Sequence, residues 1–333
     1  MLFLISRFET AEDIDSKNAD VSITTKYMSD FIQIKKSQLT LYKEVPLYYL
    51  SEKGEGVLFK KKGDHLNKAL ISEAKAMNIY IRAKDKFLAS QELLNALNMD
   101  LAKQVANKGV RSVRLILCDI VQEALNGDLA QTDTARALPE TIEIMFFGQS
   151  KNKELFEALA RISTASPIMV EHSVNVLAIA LLYCCIHGIG IDEARKIGVA
   201  ALLHDIGITG IDRSIVESDQ KLSDKAFNAY KTHTIKGHDI IKKDTQFDGI
   251  VATVALEHHE KLDGSGYPWG VKTMSFESQL IGLIDSYEPL TYRDKSFRKA
   301  KKPFDALSVL KDEVVARQYD KTIFKNLCTC LMK

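Results

Sequence analysis

Of the 8 histidines in the chain, all but His65 fall between His172 and His259, inside a stretch whose apolar residues recur at helical spacing. A helical fold must bring turns of several helices to one place if these side chains are to act together. They arrive with carboxylates, in the signatures His172, His204-Asp205, His233, His258-His259 and Asp285. Neutral imidazole and carboxylate together suit iron, manganese or zinc, and the absence of cysteine from these signatures argues against a structural thiolate zinc site. Adjacent residues of a helix diverge by about 100°, so His204 with Asp205, and His258 with His259, cannot face one ion as an i, i+4 pair would. Five His and two Asp also exceed what one ion with an open position holds. Two ions sharing Asp205 accommodate them, and metal pairs about 3.5 to 4 Å apart suit phosphoester hydrolysis. His65, His187 and His238 read as ordinary hydrogen-bonded histidines.

Other classes are excluded by composition. Lys and Arg number 45 against 44 for Asp and Glu, a net charge of +1, which gives no global field for a nucleic-acid polymer. Gly at 17 and Pro at 6 are few, which favours long helices over an all-β sandwich. The longest wholly apolar run, Val176 to Ile186, has 11 residues, short of the roughly 18 to 20 that cross a bilayer, so no membrane span is expected. The apolar start, Met1 to Ile5, lacks the basic flank of a signal peptide. The 5 cysteines, Cys118, Cys184, Cys185, Cys328 and Cys330, form no C-x-x-C pair, as expected where thiols stay reduced. The location implied is cytoplasmic, and Cys328-x-Cys330 reads as ordinary helix.

Two textures divide the chain. Phe31 to Ile34, Val45 to Leu50 and Val57 to Phe59 are strand-like, with Ser51-Glu52-Lys53-Gly54 as a hairpin turn. His65 to Met77 has helical spacing, and Ile79 to Ile81 reads as a further strand. Residues 1–110 thus form a small α+β module of regulatory character, with Lys60-Lys61-Lys62 as solvated surface. Residues 111–149 read as a helical connector, and residues 150–333 as a helical domain holding every candidate ligand. The predicted class is mainly α.

Read in order, the signatures become specific. His172-Ser173, Leu202-Leu203-His204-Asp205-Ile206-Gly207, His233 with Gly237, His258-His259-Glu260-Lys261-Leu262-Asp263-Gly264-Ser265-Gly266-Tyr267-Pro268 and Asp285 together resemble the HD-GYP family over about residues 150 to 320. That resemblance implies an all-helical HD superfamily fold, an iron or manganese centre, and hydrolysis of cyclic di-GMP to linear pGpG and onward to GMP. His172, His204, Asp205, His233, His258, His259 and Asp285 fall on the family's ligand positions, with Asp205 on the bridging carboxylate. Trinuclear members carry a glutamate where this chain has Ile168, so the resemblance implies two metals, with Glu171 as surface or support. It further implies catalytic roles for Asp205, Tyr267 and Lys261, and substrate contacts from Gly264, Gly266, Tyr267, Arg293 and Arg298. Glu260 is expected to orient a ligating histidine, and the loop to dock diguanylate cyclase (GGDEF) domains.

Two positions depart from the family pattern. Ile208 stands where a lysine is usual, and Asp294 where an arginine is usual, with Glu288-Pro289 interrupting a small-residue segment. These departures predict weakened turnover. They also keep open a catalytically degenerate cyclic di-GMP receptor and a phosphohydrolase for another nucleotide on the same fold.

Overall fold

In the computed structural model, residues 30–107, 109–126, 129, 134–146, 149–161, 166, 168–244, 246–292 and 299–332 are described. Arg293, Asp294 and Arg298, the start of the chain, Gly148 and Pro167 lie outside them. The chain divides into two compact units, Met1–Ala96 and Leu97–Lys333.

In the first unit, β-branched and aromatic residues build a four-stranded antiparallel sheet in the order β1-β4-β2-β3. The strands are β1 (Phe31–Gln33), β2 (Leu47–Leu50), β3 (Gly56–Lys60) and β4 (Tyr80–Arg82), and α1 (Lys68–Ala76) precedes β4. The expected hairpin is present: Gly54 turns the chain at φ 76°, and Tyr49 pairs with Val57. The Asn67 side chain caps α1 by accepting from the amide of Leu70, which starts the helix later than the apolar spacing suggests. Lys60 departs from the solvated role expected of it. Its ammonium is buried and donates to the carbonyls of Lys43, Val45 and Lys61 at 2.9, 3.1 and 3.0 Å. Burial lowers its pKa, and the three carbonyls offset the loss of water.

Helix α2 (Lys86–Ala106) crosses the boundary between the units. The second unit continues with α3 (Val110–Asn126), α4 (Thr134–Phe146), α5 (Gln149–Leu159), α6 (Ile168–Ile186) and α7 (Ile191–Leu203). A 3-10 turn (Ile206–Gly210) leads to α8 (Arg213–Val216), α9 (Asp224–Lys231), α10 (His233–Lys242) and α11 (Gly249–Glu257). The long α12 (Phe276–Tyr292), α13 (Pro303–Val315) and α14 (Lys321–Leu331) complete it. Helix α6 is apolar all round and buried at every position from Ser173 to Cys184, the pattern of a core helix. It is long and apolar enough to cross a membrane, yet 78% of its most apolar window is buried among α3, α5, α7 and α12.

The compact unit begins at Leu97, so the segment expected to be a connector belongs to its core. Helix α4 lies against α7 so closely that a Cβ at Gly198 would stand 2.8 Å from the Ile142 side chain. Helix α3 is tied to α6 by Arg114, which is fully buried, pairs with the Glu171 carboxylate and donates to the Leu159 carbonyl at 2.7 Å. Tyr292 donates to the same carboxylate at 2.9 Å. Glu171 is therefore an interior residue joining α3, α6 and α12, and it adjoins His172.

Candidate metal centre

Five elements deliver the seven candidate ligands. His172 lies in the first turns of α6, His204 and Asp205 end α7, His233 opens α10, His258-His259 end α11, and Asp285 lies midway along α12. Gly207 makes the assembly possible: a Cβ there would stand 1.9 Å from the His233 carbonyl oxygen and 2.4 Å from the Gly237 nitrogen. Without a side chain at 207, the turn after Asp205 seats directly on α10 and brings Asp205 to His233.

The imidazoles are held in one tautomer by their outer nitrogens. Nδ1 of His204 donates to the Ala201 carbonyl at 2.9 Å, Nδ1 of His233 to Tyr230 at 2.7 Å, and Nδ1 of His258 to Val254 and Ala255 at 3.1 Å. Each carbonyl can only accept, so in the neutral ring each Nε2 presents a lone pair inward. Nδ1 of His172 likewise faces the Glu288 carboxylate at 2.8 Å. The inward atoms then crowd one another: Nε2 of His172 and of His204 are 3.1 Å apart, and Nε2 of His233 and of His258 are 3.4 Å apart. Facing lone pairs repel at such distances, and a shared cation turns the repulsion into ligation.

Asp205 lies between the two pairs. Its Oδ1 is 3.2 Å from His233 Nε2 and 3.6 Å from His258 Nε2, and its Oδ2 is 3.7 Å from His204 and 3.8 Å from His172. Oδ1 is buried without a hydrogen bond of acceptable geometry. Asp285 faces the same space, 3.1 Å from His172 Nε2 and 3.5 Å from His259 Nδ1. Among the described residues, the sets that can hold a metal are Asp205, His233, His258 and His259, and His172, His204 and Asp205, with ligand atoms of each set within 4.8 Å. Both contain Asp205. The residues therefore fit divalent metal, which would satisfy the orphaned carboxylate oxygen and the opposed imidazoles.

Electrostatics divide the cluster. Burial would raise the Asp205 and Asp285 carboxyls, but the surrounding imidazoles outweigh it and hold both well below the usual range. Burial lowers His258 and His259, so both stay neutral and able to ligate. For His172, burial acts downward, and the carboxylates of Glu288 and Asp285 outweigh it and raise the ring well above its ordinary value.

The loop after His259 divides its residues differently from expectation. The buried Glu260 carboxylate orients no histidine: it accepts the amides of Trp269, Gly270 and Val271 at 2.7, 3.0 and 3.1 Å and so folds the loop onto its own start. Gly266 is pressed against that start, where a Cβ would stand 2.4 Å from the Glu260 Cα and from the Lys261 nitrogen, and Gly264 turns at φ 84°. Lys261 is drawn to Glu313, 3.3 Å away, and to the Tyr319 hydroxyl. Burial lowers its pKa against the opposing pull of Glu313. Tyr267 does reach the cluster. Its ring lies 4.6 Å from that of His259 at 32°, and edge-on to His233 and Phe227. Burial, with Tyr230 and the nearby carboxylates, pushes its phenol far up, so it remains a protonated donor.

A cavity of about 730 Å3 opens on the cluster. His172, Asp205 and Asp285 line it, together with Ile168, Met169, Ile208, Ile211, Arg213, Tyr230 and Tyr292. Ile208, 6% exposed, thus stands in the cavity wall beside Asp205. Sequence reasoning missed Glu288, whose second oxygen accepts from Asn175 at 2.5 Å while the first holds His172. The signal was its place one helical turn after Asp285. Tyr230 and Arg213 also line the cavity.

Helical topology and a His/Asp cluster shared among five elements define a metal-binding domain of the HD type. Residues 156–323 match the HD domain family, and the chain belongs to that family. Its string from His258 to Pro268 makes it an HD-GYP protein. It is 30% identical over 144 residues to a cyclic di-GMP phosphodiesterase of Pseudomonas aeruginosa, covering 43% of this chain and 34% of that one. It is 31% identical over 157 residues to a 3'3'-cGAMP-specific phosphodiesterase of Vibrio cholerae, covering 46% and 33%. The matched segment is thus about a third of these relatives' own length. In fold it is similar to Bd1817 of Bdellovibrio bacteriovorus, an HDG"Y"P protein, with TM-score 0.60 at 16% identity over 91% of this chain and 100% of that one.

Proposed function

We propose that the chain is a metal-dependent phosphodiesterase that opens cyclic di-GMP to linear pGpG and continues toward GMP, at a centre of two transition-metal ions, iron or manganese. The observation that carries this reading is the pair of opposed imidazole sets with one carboxylate between them, since Asp205 serves both. Bound metals supply Lewis acidity toward a phosphodiester and lower the pKa of water. The chain's own groups do the rest. Asp205 fixes the spacing of the two sets, Glu288 holds His172 in place, and the protonated phenol of Tyr267 closes the His259 side and can donate to a phosphate oxygen. Arg293 and Arg298 are proposed phosphate contacts.

Turnover is slow in this reading, because Ile208 offers the cavity no charge. That same position favours a second reading, a receptor that binds cyclic di-GMP without opening it. Similarity to a cGAMP-specific enzyme makes another cyclic dinucleotide the competing substrate. The module of residues 1–110 is proposed to be regulatory, and the loop with Trp269, 66% exposed, to meet a diguanylate cyclase domain. The setting proposed is the cytoplasm, where thiols stay reduced.

Protein purified without oxygen and assayed with Fe(II) or Mn(II) tests this. Production of pGpG from cyclic di-GMP, lost in His204→Ala, is expected. Binding without turnover selects the receptor, and exclusive hydrolysis of cGAMP replaces the substrate.

A further inference from the structure

A cyclic dinucleotide carries two phosphodiesters, and only one can lie at the metal cluster during hydrolysis. The other must be matched elsewhere in the cavity. The cavity is rich in carboxylates, Asp205, Asp285, Glu217 and Glu288, and Arg213 is the sole lysine or arginine among its described lining residues. We infer that Arg213 is a substrate-binding residue, whose guanidinium takes the second phosphate of a cyclic dinucleotide. This deepens the functional reading above and rests on it.

Three features prepare Arg213 for this task. Its backbone is fixed: the Asp212 side chain accepts from the amide of Ser214 at 2.8 Å and so caps α8, in which Arg213 is the first residue. Its guanidinium is oriented, because Nε donates to the Glu217 carboxylate at 2.8 Å one turn on. That bond occupies Nε, and the paired terminal N–H groups have the geometry suited to the two oxygens of a phosphodiester. Its neighbours are apolar, since Ile208, Ile211 and Val216 line the same cavity and offer surface to the flat faces of nucleobases.

Arg213 is exposed at the side chain, 85%, and pairs with Glu217 rather than with a candidate ligand, so its charge acts on binding more than on the bond-breaking step. The expected signature is therefore in KM and in its salt dependence, because an exposed charge is screened by added ions. A residue acting only on the fold would not change the salt dependence.

The test uses full-length, metal-loaded protein with cyclic di-GMP. It measures KM and kcat over a range of NaCl, and the Kd of a fluorescently labelled cyclic di-GMP by anisotropy. Arg213→Gln is expected to raise KM and Kd about tenfold, to flatten their dependence on salt, and to leave kcat within about twofold and metal content unchanged. Arg213→Lys should recover part of the affinity, and Glu217→Gln should weaken binding less than Arg213→Gln. An Arg213→Gln protein with wild-type KM, Kd and salt dependence overturns the inference while leaving the phosphodiesterase reading intact. A fall in kcat at constant KM overturns it too, by placing Arg213 in the chemistry. Wild-type protein that neither binds nor hydrolyses cyclic di-GMP overturns both.

Discussion

The metal cluster and the loop that follows it are equally dense in motif residues, yet those residues do opposite things. In the cluster, each side chain turns inward and meets another ligand: Asp205 alone stands within 3.8 Å of four imidazoles. In the loop from Glu260 to Val271, most side chains serve the loop itself. Glu260 gathers three amides, Asp263 accepts from the Ser265 amide at 2.9 Å, Gly266 makes room for the backbone, and Lys261 leaves for Glu313. Only the Tyr267 ring crosses from the loop to the cluster. A motif string can therefore be continuous in sequence while its chemistry is confined to one end.

That contrast can be broken by single substitutions. The largest effect is expected from His258→Ala, which removes a ligand from the Asp205 set. Metal content should fall, and turnover should drop by about 1,000-fold or more, the equivalent of several kcal/mol of lost charge stabilisation. Elemental analysis alongside the assay checks both. Ile208→Lys comes next, with the opposite sign. An ammonium in the cavity wall beside Asp205 should raise turnover by about 100-fold at unchanged metal content, the scale of one restored oxyanion donor. A stable, fully metallated and no faster variant would move the assignment to the receptor.

Glu260→Ala should separate the two regions most cleanly. Loss of a charged acceptor costs about 1.5 to 3 kcal/mol, so kcat/KM should fall about tenfold as the loop and Tyr267 loosen, with metal content retained. Metal loss in this variant would mean that loop and cluster are one unit. The smallest catalytic effect is expected from Lys261→Met, which should keep turnover and show its difference in stability against pH. Burial holds the folded-state pKa of Lys261 below 10.5. Between that depressed value and 10.5 the unfolded chain binds more protons, so wild-type stability relative to Lys261→Met should rise with pH across this window and level off above it. Urea unfolding at several alkaline pH values measures it. Abolished turnover with metal retained would bring Lys261 into the chemistry.

The sequence made the ligands legible because they stand as adjacent pairs, His204-Asp205 and His258-His259; a regular helix would set the members of a pair on different ions, but both pairs lie where a helix ends, and each pair falls within one ligand set. Glu288 stayed hidden because, beside Pro289, it reads as an interruption of a segment, whereas in α12 it lies one turn after Asp285 and holds His172. Arg114 stayed hidden because a charge within an apolar helix reads as its solvent face. Burial beside Glu171 makes it instead an anchor between α3 and the helix that carries His172. The same contact explains why the supposed connector is core: helical periodicity reveals that a helix has an apolar face, and leaves open which unit covers it. The string from Gly264 to Pro268 shows the converse, being legible as a motif while its glycines mainly solve a packing problem.

In the proposed centre one carboxylate, Asp205, joins two metal sites. Metal analysis of anaerobically purified, metal-saturated wild-type protein beside Asp205→Ala tests it most directly. Two ions per chain are expected in the wild type and near-complete loss in Asp205→Ala, a greater loss than from any single histidine change. A wild type holding one ion, or an Asp205→Ala protein that keeps an ion at full occupancy, would contradict it.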